Sequence, residues 1–309
     1  MTPVLVVVIA TSGRRGTLAR TLRSLAEGPW PEACREVVVV ENGPKSGAEE
    51  VVRNAAMPLA VRYVYRNEGN KSKALNAVLE GLDDCLACFF DDDVRVAPGT
   101  LCAYAEAVGA VSSGRMYGGP LGVDYEIPPP DWLVPYLPNS AKGWSLDASP
   151  ASEEMPFFLG ANWAAFACDV RRIGGFHVHR GPSPTDWTIG EETDLQRRLR
   201  CAGVEPVYVP EAMVWHWVPA DRCSPGWALR RAYQVGMAST LHEIDRSPAC
   251  FGYPRWMIPA LAARLGHWVL TRLSRDEQTR FIAAREYRHW LGMMQGYRLG
   301  RRRRIAGGE

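Results

Sequence analysis

Three carboxylates stand side by side at Asp91-Asp92-Asp93, directly after the apolar run Leu86–Phe90. Like charges this close repel one another, and a structural turn has no need of three. A divalent cation does. Hard ions such as Mg²⁺ and Mn²⁺ prefer carboxylate oxygen, and Mg²⁺ usually takes one or two protein carboxylates and completes its shell with substrate phosphate. Taken alone, the triplet also reads as a polar turn closing a strand. A second acidic group, Glu191-Glu192-Thr193-Asp194, follows Gly190 and precedes Leu195 and Leu199, whose spacing marks the buried face of a helix. These carboxylates therefore fall in the first turn. The helix dipole favours acids there whatever the function, and Asp194 is placed to pair with Arg198 one turn on.

The elements that must position these groups are legible in the first ninety residues. Short β-branched runs alternate with helix-like segments, the pattern of βαβ units that build a parallel sheet. Strands are expected at Val4–Ala10, Glu36–Glu41, Val61–Arg66 and Leu86–Phe90, and helices at Thr17–Glu27, Gly47–Ala55 and Lys73–Leu82. Ligands of such sheets bind beyond the carboxyl ends of the strands, which directs attention to Thr11, Glu41, Asn67 and Asp91 onward. Tyr125–Pro156, with seven prolines and the aromatics Trp132, Tyr136 and Trp144, reads as a long loop of the lid or binding type. Periodicity resumes with strands at Trp163–Cys168, Glu205–Val209 and Met213–Val218 and a helix at Thr193–Cys201, and the chain beyond about Pro225 reads as helical.

Composition narrows the class. The chain has 309 residues, 47% of them apolar, enough to bury a substantial core. A net charge of +2 is too small to imply a nucleic-acid partner, although Arg301–Arg304 is locally basic. Eight cysteines are scattered singly, which fits a reducing cytoplasm better than a disulfide framework, and Cys85 with Cys88 makes a poor zinc or redox pair within a strand-like run. The opening run Val4–Ile9 is too short for a signal peptide or a span and reads as a buried strand.

Four segments carry a family resemblance. Asp91-Asp92-Asp93 resembles the D-x-D motif, and Gly190-Glu191-Glu192-Thr193-Asp194-Leu195 the G-E-D-x-D-L motif, of family 2 glycosyltransferases with the GT-A fold. Val6–Arg14 resembles that family's first strand and P-T-Y-N-R turn, and Lys71–Asn76 its K-A-x-A-L-N segment. The order and spacing agree over roughly residues 4–240, and four motifs in order are more specific than any one.

The resemblance implies an α/β fold with a GT-A-type, Rossmann-like mixed sheet flanked by helices. Residues 1–224 would form the catalytic domain, with a nucleotide-sugar half to about residue 95 and an acceptor half to 224, followed by a helical extension at 225–309. It implies an inverting transfer of sugar from a nucleoside diphosphate-sugar, expected to be a UDP-sugar, assisted by Mn²⁺ or Mg²⁺. Thr11, Arg14 and Glu41 would lie near the donor's nucleoside, Asp91 would help hold the nucleotide, and Asp92 is the variable middle position. Lys71 and Asn76 would line the donor side. Asp93 would bind the metal with help from His216, Glu192 would act as base, and Glu191 would support it. Trp132 and Trp163 are candidate acceptor contacts.

The sequence also departs from the family pattern. Ala10-Thr11-Ser12-Gly13-Arg14 lacks the usual proline, tyrosine and asparagine, Glu41 replaces a more common aspartate, and Glu192 stands where aspartate is the usual base. Two rivals remain. A nucleotidyltransferase is faintly suggested by Gly16-Thr17, but Leu18 follows where such loops carry arginine; a non-catalytic nucleotide-sugar binder would not need every carboxylate. His177 and His179 have no ligand-type neighbours and read as loop residues, and Trp215 and Trp217 share a strand face as core or sugar-stacking aromatics. The apolar stretch Trp256–Leu270 is too short to span a bilayer, which leaves membrane-surface contact, packing on the catalytic domain or a homodimer contact as its fates.

Overall fold

The computed structural model describes residues 3–147, 155–178, 190–241, 249–250 and 253–307. The chain divides into two compact units, Met1–Asp124 with Pro138–Trp217, and Tyr125–Leu137 with Val218–Glu309.

The first unit opens with β1 (Leu5–Thr11), α1 (Arg15–Ala26), β2 (Cys34–Asn42), α2 (Ala48–Arg53), β3 (Ala60–Arg66), α3 (Lys71–Glu80) and β4 (Leu86–Asp91). It continues through β5 (Val94–Val96), α4 (Thr100–Val108), β6 (Arg115–Gly118), β7 (Leu121–Tyr125), α5 (Asn139–Lys142), β8 (Asn162–Phe166), α6 (Ala167–Arg172), α7 (Glu191–Cys201), β9 (Glu205–Tyr208) and β10 (Val214–Val218). Seven strands form a sheet in the order β3-β2-β1-β4-β8-β6-β9, and β5-β10-β7 form a second, smaller sheet. β1 to β4 run parallel, while β8 lies antiparallel between β4 and β6, so the sheet is mixed.

β1 shows why the strands read as unbroken apolar runs. Successive side chains alternate faces, and both faces of this sheet are covered. Leu5, Val7 and Ile9 join a core with Leu18 and Leu22 of α1 and Tyr104 of α4. Val6, Val8 and Ala10 join the opposite core with Leu75 and Val78 of α3 and Leu195 and Leu199 of α7. The helices α1 and α3 therefore flank the strand that carries Thr11, one on each side.

Some boundaries differ from the sequence expectation. α3 begins at Lys71 rather than Lys73, capped by the Asn70 side chain accepting from the Lys73 N–H, which places Lys71 in the first helical turn. The expected strand to Cys168 stops at Phe166 and α6 follows at once. α4 was not expected. The long Tyr125–Pro156 segment contains a helical turn at Asp131–Tyr136, then α5, and a backbone bridge from Trp144 to Leu121; residues 148–154 lie outside the described residues.

The second unit contains that helical turn, a short turn at Ala220–Cys223, α8 (Pro225–Thr240), a two-residue strand pair β11 (Ala249–Cys250) and β12 (Tyr253–Pro254), α9 (Met257–Thr271) and α10 (Glu277–Gly307). α8 and α10 approach backbone to backbone. A Cβ added at Gly236 would lie 2.0 Å from the His289 carbonyl oxygen, and one at Gly292 would lie 2.0 Å from that of Tyr233. Trp132 and Tyr136 pack against Phe281, with ring centroids 5.3 and 5.5 Å away.

Candidate active site

Strand register assembles the first part of the site. Thr11 pairs with Glu41 and Ala10 with Asp91, so the carboxyl ends of β1, β2 and β4 finish level with one another. β4 ends at Asp91, and β5 begins at Val94, leaving Asp92 and Asp93 in the turn between them. Asp92 is buried completely and Asp93 almost so.

These two carboxylates are held by cationic and hydroxyl partners. The Arg14 guanidinium reaches Asp92 at 2.7 Å and also bonds Asp93, while the Thr11 hydroxyl donates to Asp92 at 2.6 Å. Burial pushes the Asp92 carboxyl up to about 6, against the opposing pull of Arg14. His216 on β10, which pairs with Val94 of β5, brings Nε2 to 3.4 Å from Asp93.

The second part is centred on Lys71. Its ammonium lies 2.9 Å from Asp91, 2.7 Å from Glu192 and 3.5 Å from Glu191. One cation thus joins the end of β4 to the first turn of α7. Burial and then the neighbouring Glu192 charge raise the Glu191 carboxyl well above its ordinary value. Burial also pushes Glu192 upward, but the Lys71 charge and hydrogen bonds from Glu191 and Lys71 outweigh it, leaving Glu192 below its ordinary value and ionised at neutral pH. Gly160 makes room for this arrangement: a Cβ there would meet the Glu192 carboxyl at 2.5 Å. No side-chain signal marks Gly160 in the sequence.

Other expected site residues are engaged elsewhere. Glu41 is fully buried and accepts from the Ser46 N–H and hydroxyl at 2.6 and 2.5 Å and from the Tyr63 hydroxyl. Burial opposes its charge, but these donors prevail and lower its pKa. It ties down the loop after β2. Asn76 spends both ends of its amide on the backbone of Phe176, donating to the carbonyl and accepting from the N–H at 2.8 Å each. Trp163 is completely buried, stacked on Phe89 at 4.7 Å with Phe176 edge-on, so in this conformation its ring has no exposed face for an acceptor. Trp132 belongs to the other unit, where it packs on Phe281. Asp194 pairs with Arg198 at 3.0 Å, one turn along α7. His179 lies outside the described residues.

A cavity of about 170 Å³ opens beside Asp93, lined by Thr17, Arg20, Arg23, Arg95, Asp124 and Trp217 among others. Its walls are built by cation–π contacts that the sequence reading did not anticipate. Arg20 sits 3.9 Å over Trp217, Arg95 sits 3.9 Å over Trp215, and Arg95 is clamped by both oxygens of Asp124. The strand aromatics Trp215 and Trp217 thus stack on guanidinium groups.

The arrangement suits a cation bound jointly with a ligand. Among the described residues no three histidine, cysteine or acidic side chains converge as a complete metal cage. What is present is hard oxygen from Asp93, an adjacent imidazole and a positive group already drawn onto the carboxylates. That is a partial shell of the kind that substrate phosphate completes. A second carboxylate cluster stands across the Lys71 bridge. Fold and site together fit a sugar-transferring enzyme of the GT-A type.

Comparisons identify the group. Residues 6–125 match Glycosyl transferase family 2. The chain is 30% identical over 233 residues, 72% of its length and 70% of the relative's, to the succinoglycan biosynthesis protein ExoM of Rhizobium meliloti (strain 1021). It is 25% identical over 276 residues to validoxylamine A glucosyltransferase of Streptomyces hygroscopicus subsp. limoneus, covering 79% of this chain and 56% of that protein. The chain belongs to glycosyltransferase family 2 and is a glycosyltransferase. The fold agrees with that of mannosyltransferase PcManGT from Pyrobaculum calidifontis, solved with GDP-Man and Mn²⁺, at a TM-score of 0.56 and 18% identity over all of this chain and 89% of that one. GalNAc-T7, solved with UDP, GalNAc and Mn²⁺, gives a TM-score of 0.52 and 12% identity over 77% of this chain and 51% of the neighbour.

Proposed function

We propose that this glycosyltransferase moves a sugar from a nucleoside diphosphate-sugar, UDP-linked by preference, to an acceptor hydroxyl in a single displacement that inverts the anomeric carbon. The observation that carries this reading is the Lys71 bridge, which fixes Glu192 and Asp91 to one ammonium. Glu192 is ionised, partly buried and held by the same cation as a strand-end carboxylate, so it is preorganised to take the acceptor proton as the new glycosidic bond forms. Glu191, with its carboxyl raised by burial, supports Glu192 through the hydrogen bond between them.

Asp93 and His216 would hold a divalent ion, Mn²⁺ or Mg²⁺. When bound, that ion neutralises charge on the departing diphosphate. Asp91 and Thr11 orient the donor at the strand ends, Arg14 faces Asp92 and Asp93 from the N-terminus of α1, and Lys71 keeps the base in place. The GDP-Man and Mn²⁺ of one solved neighbour, and the UDP, GalNAc and Mn²⁺ of the other, support the donor class and the metal. The helical extension at 225–309 is given no part in the chemistry. Residues 1–224 are assigned the transfer, with a nucleotide-sugar half to about residue 95 and an acceptor half from there to 224.

The test is a panel of UDP- and GDP-sugars with Mn²⁺, followed by proton NMR of the sugar released by slow donor hydrolysis, read before mutarotation. Release of the anomer opposite to the donor's supports single displacement. Release of the donor's own anomer contradicts it.

A further inference from the structure

Helix α9 turns its aliphatic side to solvent. Ile258, Ala262, Leu265 and Val269 recur at intervals of four, three and four residues, which puts them on one face, and Leu273 follows two residues past the end of the helix. In a helix that packs by its apolar side this stripe would be buried. Here Leu265 is 40% exposed, Val269 51% and Leu273 88%, with Leu270 beside them at 72%. The opposite face makes the protein contacts: Arg264 lies 4.0 Å over Trp290, and Trp268 stacks on Tyr287 at 5.0 Å with rings 7° from parallel. The helix is therefore attached through its cationic and aromatic side and displays its greasiest one.

Charge selects the occupant. From Arg255 to Arg275 the chain carries four arginines and no aspartate or glutamate. Arg255, Arg272 and Arg275 are exposed at the two ends of α9, with exposed Asp276 and Glu277 following Arg275. A second copy docked on the same face would set one arginine group against another, whereas an anionic surface matches both the apolar stripe and its basic surround. A helix of 15 residues is about 22 Å long, and no described helix is long and apolar enough to cross a membrane, so α9 fits a position in the plane of the interface.

We infer that α9 is a peripheral membrane anchor that lays this stripe into the surface of a bilayer containing anionic phospholipid. The inference uses none of the residues assigned to sugar transfer. The experiment is co-sedimentation of the full chain with phosphatidylcholine vesicles with and without phosphatidylglycerol, repeated with Val269→Asp/Leu273→Asp. Both positions are exposed, so the double variant is expected to keep its circular dichroism and donor hydrolysis.

The expected result is sedimentation with the anionic vesicles that weakens with salt and falls at least roughly tenfold in the double variant. Three results would overturn it. One is no binding to anionic vesicles; another is equal binding by the double variant. The third is a concentration-dependent dimer that the double variant dissolves without any vesicle binding, which would assign the stripe to a second copy.

Discussion

The two acidic clusters are neutralised in different ways. Glu191 and Glu192 share the ammonium of Lys71, whose side chain is only 21% exposed and which also holds Asp91. Asp92 and Asp93 are faced by Arg14, whose side chain is 43% exposed and which sits at the start of α1. The first pairing is an internal brace, costly to break because three carboxylates would be left around an empty position. The second is a cation at the rim, where a divalent ion, when bound, would supply positive charge to the same carboxylates. A fixed cluster suits a base that must be aimed, and an exchangeable one suits a ligand site.

Removing the brace has the largest expected effect. Lys71→Met keeps the aliphatic stem but leaves Asp91, Glu191 and Glu192 uncompensated. A destabilisation of about 3 kcal/mol or more in urea unfolding, together with loss of measurable transfer, is expected. Unchanged stability would mean that Lys71 is not the element joining β4 to α7. At the exchangeable cluster, Asp93→Ala should weaken Mn²⁺-dependent UDP binding by about tenfold or more in calorimetry, with a much smaller stability change. Equal Mn²⁺ dependence in that variant would move the metal elsewhere.

Gly160→Ala sharpens the contrast because its clash is with the movable end of Glu192 rather than with backbone. The fold should survive, while turnover falls roughly ten- to hundredfold with donor affinity nearly unchanged. Wild-type turnover would show that the position of the Glu192 carboxyl does not limit the reaction.

The smallest effect concerns stability and pH. Burial raises the Glu191 carboxyl in the folded state above its unfolded value of about 4.5, so folding takes up a proton and wild-type stability declines as pH rises above that value. Glu191→Gln does not titrate. It should match the wild type in acid and gain melting temperature over it progressively toward neutral pH, by roughly 2 °C or more. A gain that is constant with pH would place the effect in packing rather than ionisation.

The comparison also marks what the sequence could show. β1 to β4 were legible because strands buried on both faces leave continuous β-branched runs, and both acidic clusters were legible as local runs at element ends. α7 was legible from Leu195 and Leu199. The pairing of Arg14 with Asp92 and Asp93 depends on a turn some eighty residues away, and no local pattern reports it. Gly160 acts by lacking a side chain. Glu41, by its strand-end position, and Asn76, by the family resemblance, were expected as donor contacts, yet their polar atoms meet Ser46, Tyr63 and Phe176, partners that only the tertiary fold brings near. Periodicity in α9 shows that one side is apolar but not which way that side faces.

The central claim is that the ionised Glu192, not Glu191, takes the acceptor proton. The most direct measurement is the single-turnover rate of donor consumption, with Mn²⁺ and saturating acceptor, for Glu192→Gln beside Glu191→Gln. Glu192→Gln keeps the shape and hydrogen bonding but loses the base, so its rate should fall roughly a hundredfold or more with donor binding near normal, while Glu191→Gln falls much less. Normal turnover by Glu192→Gln with collapse in Glu191→Gln would contradict the assignment.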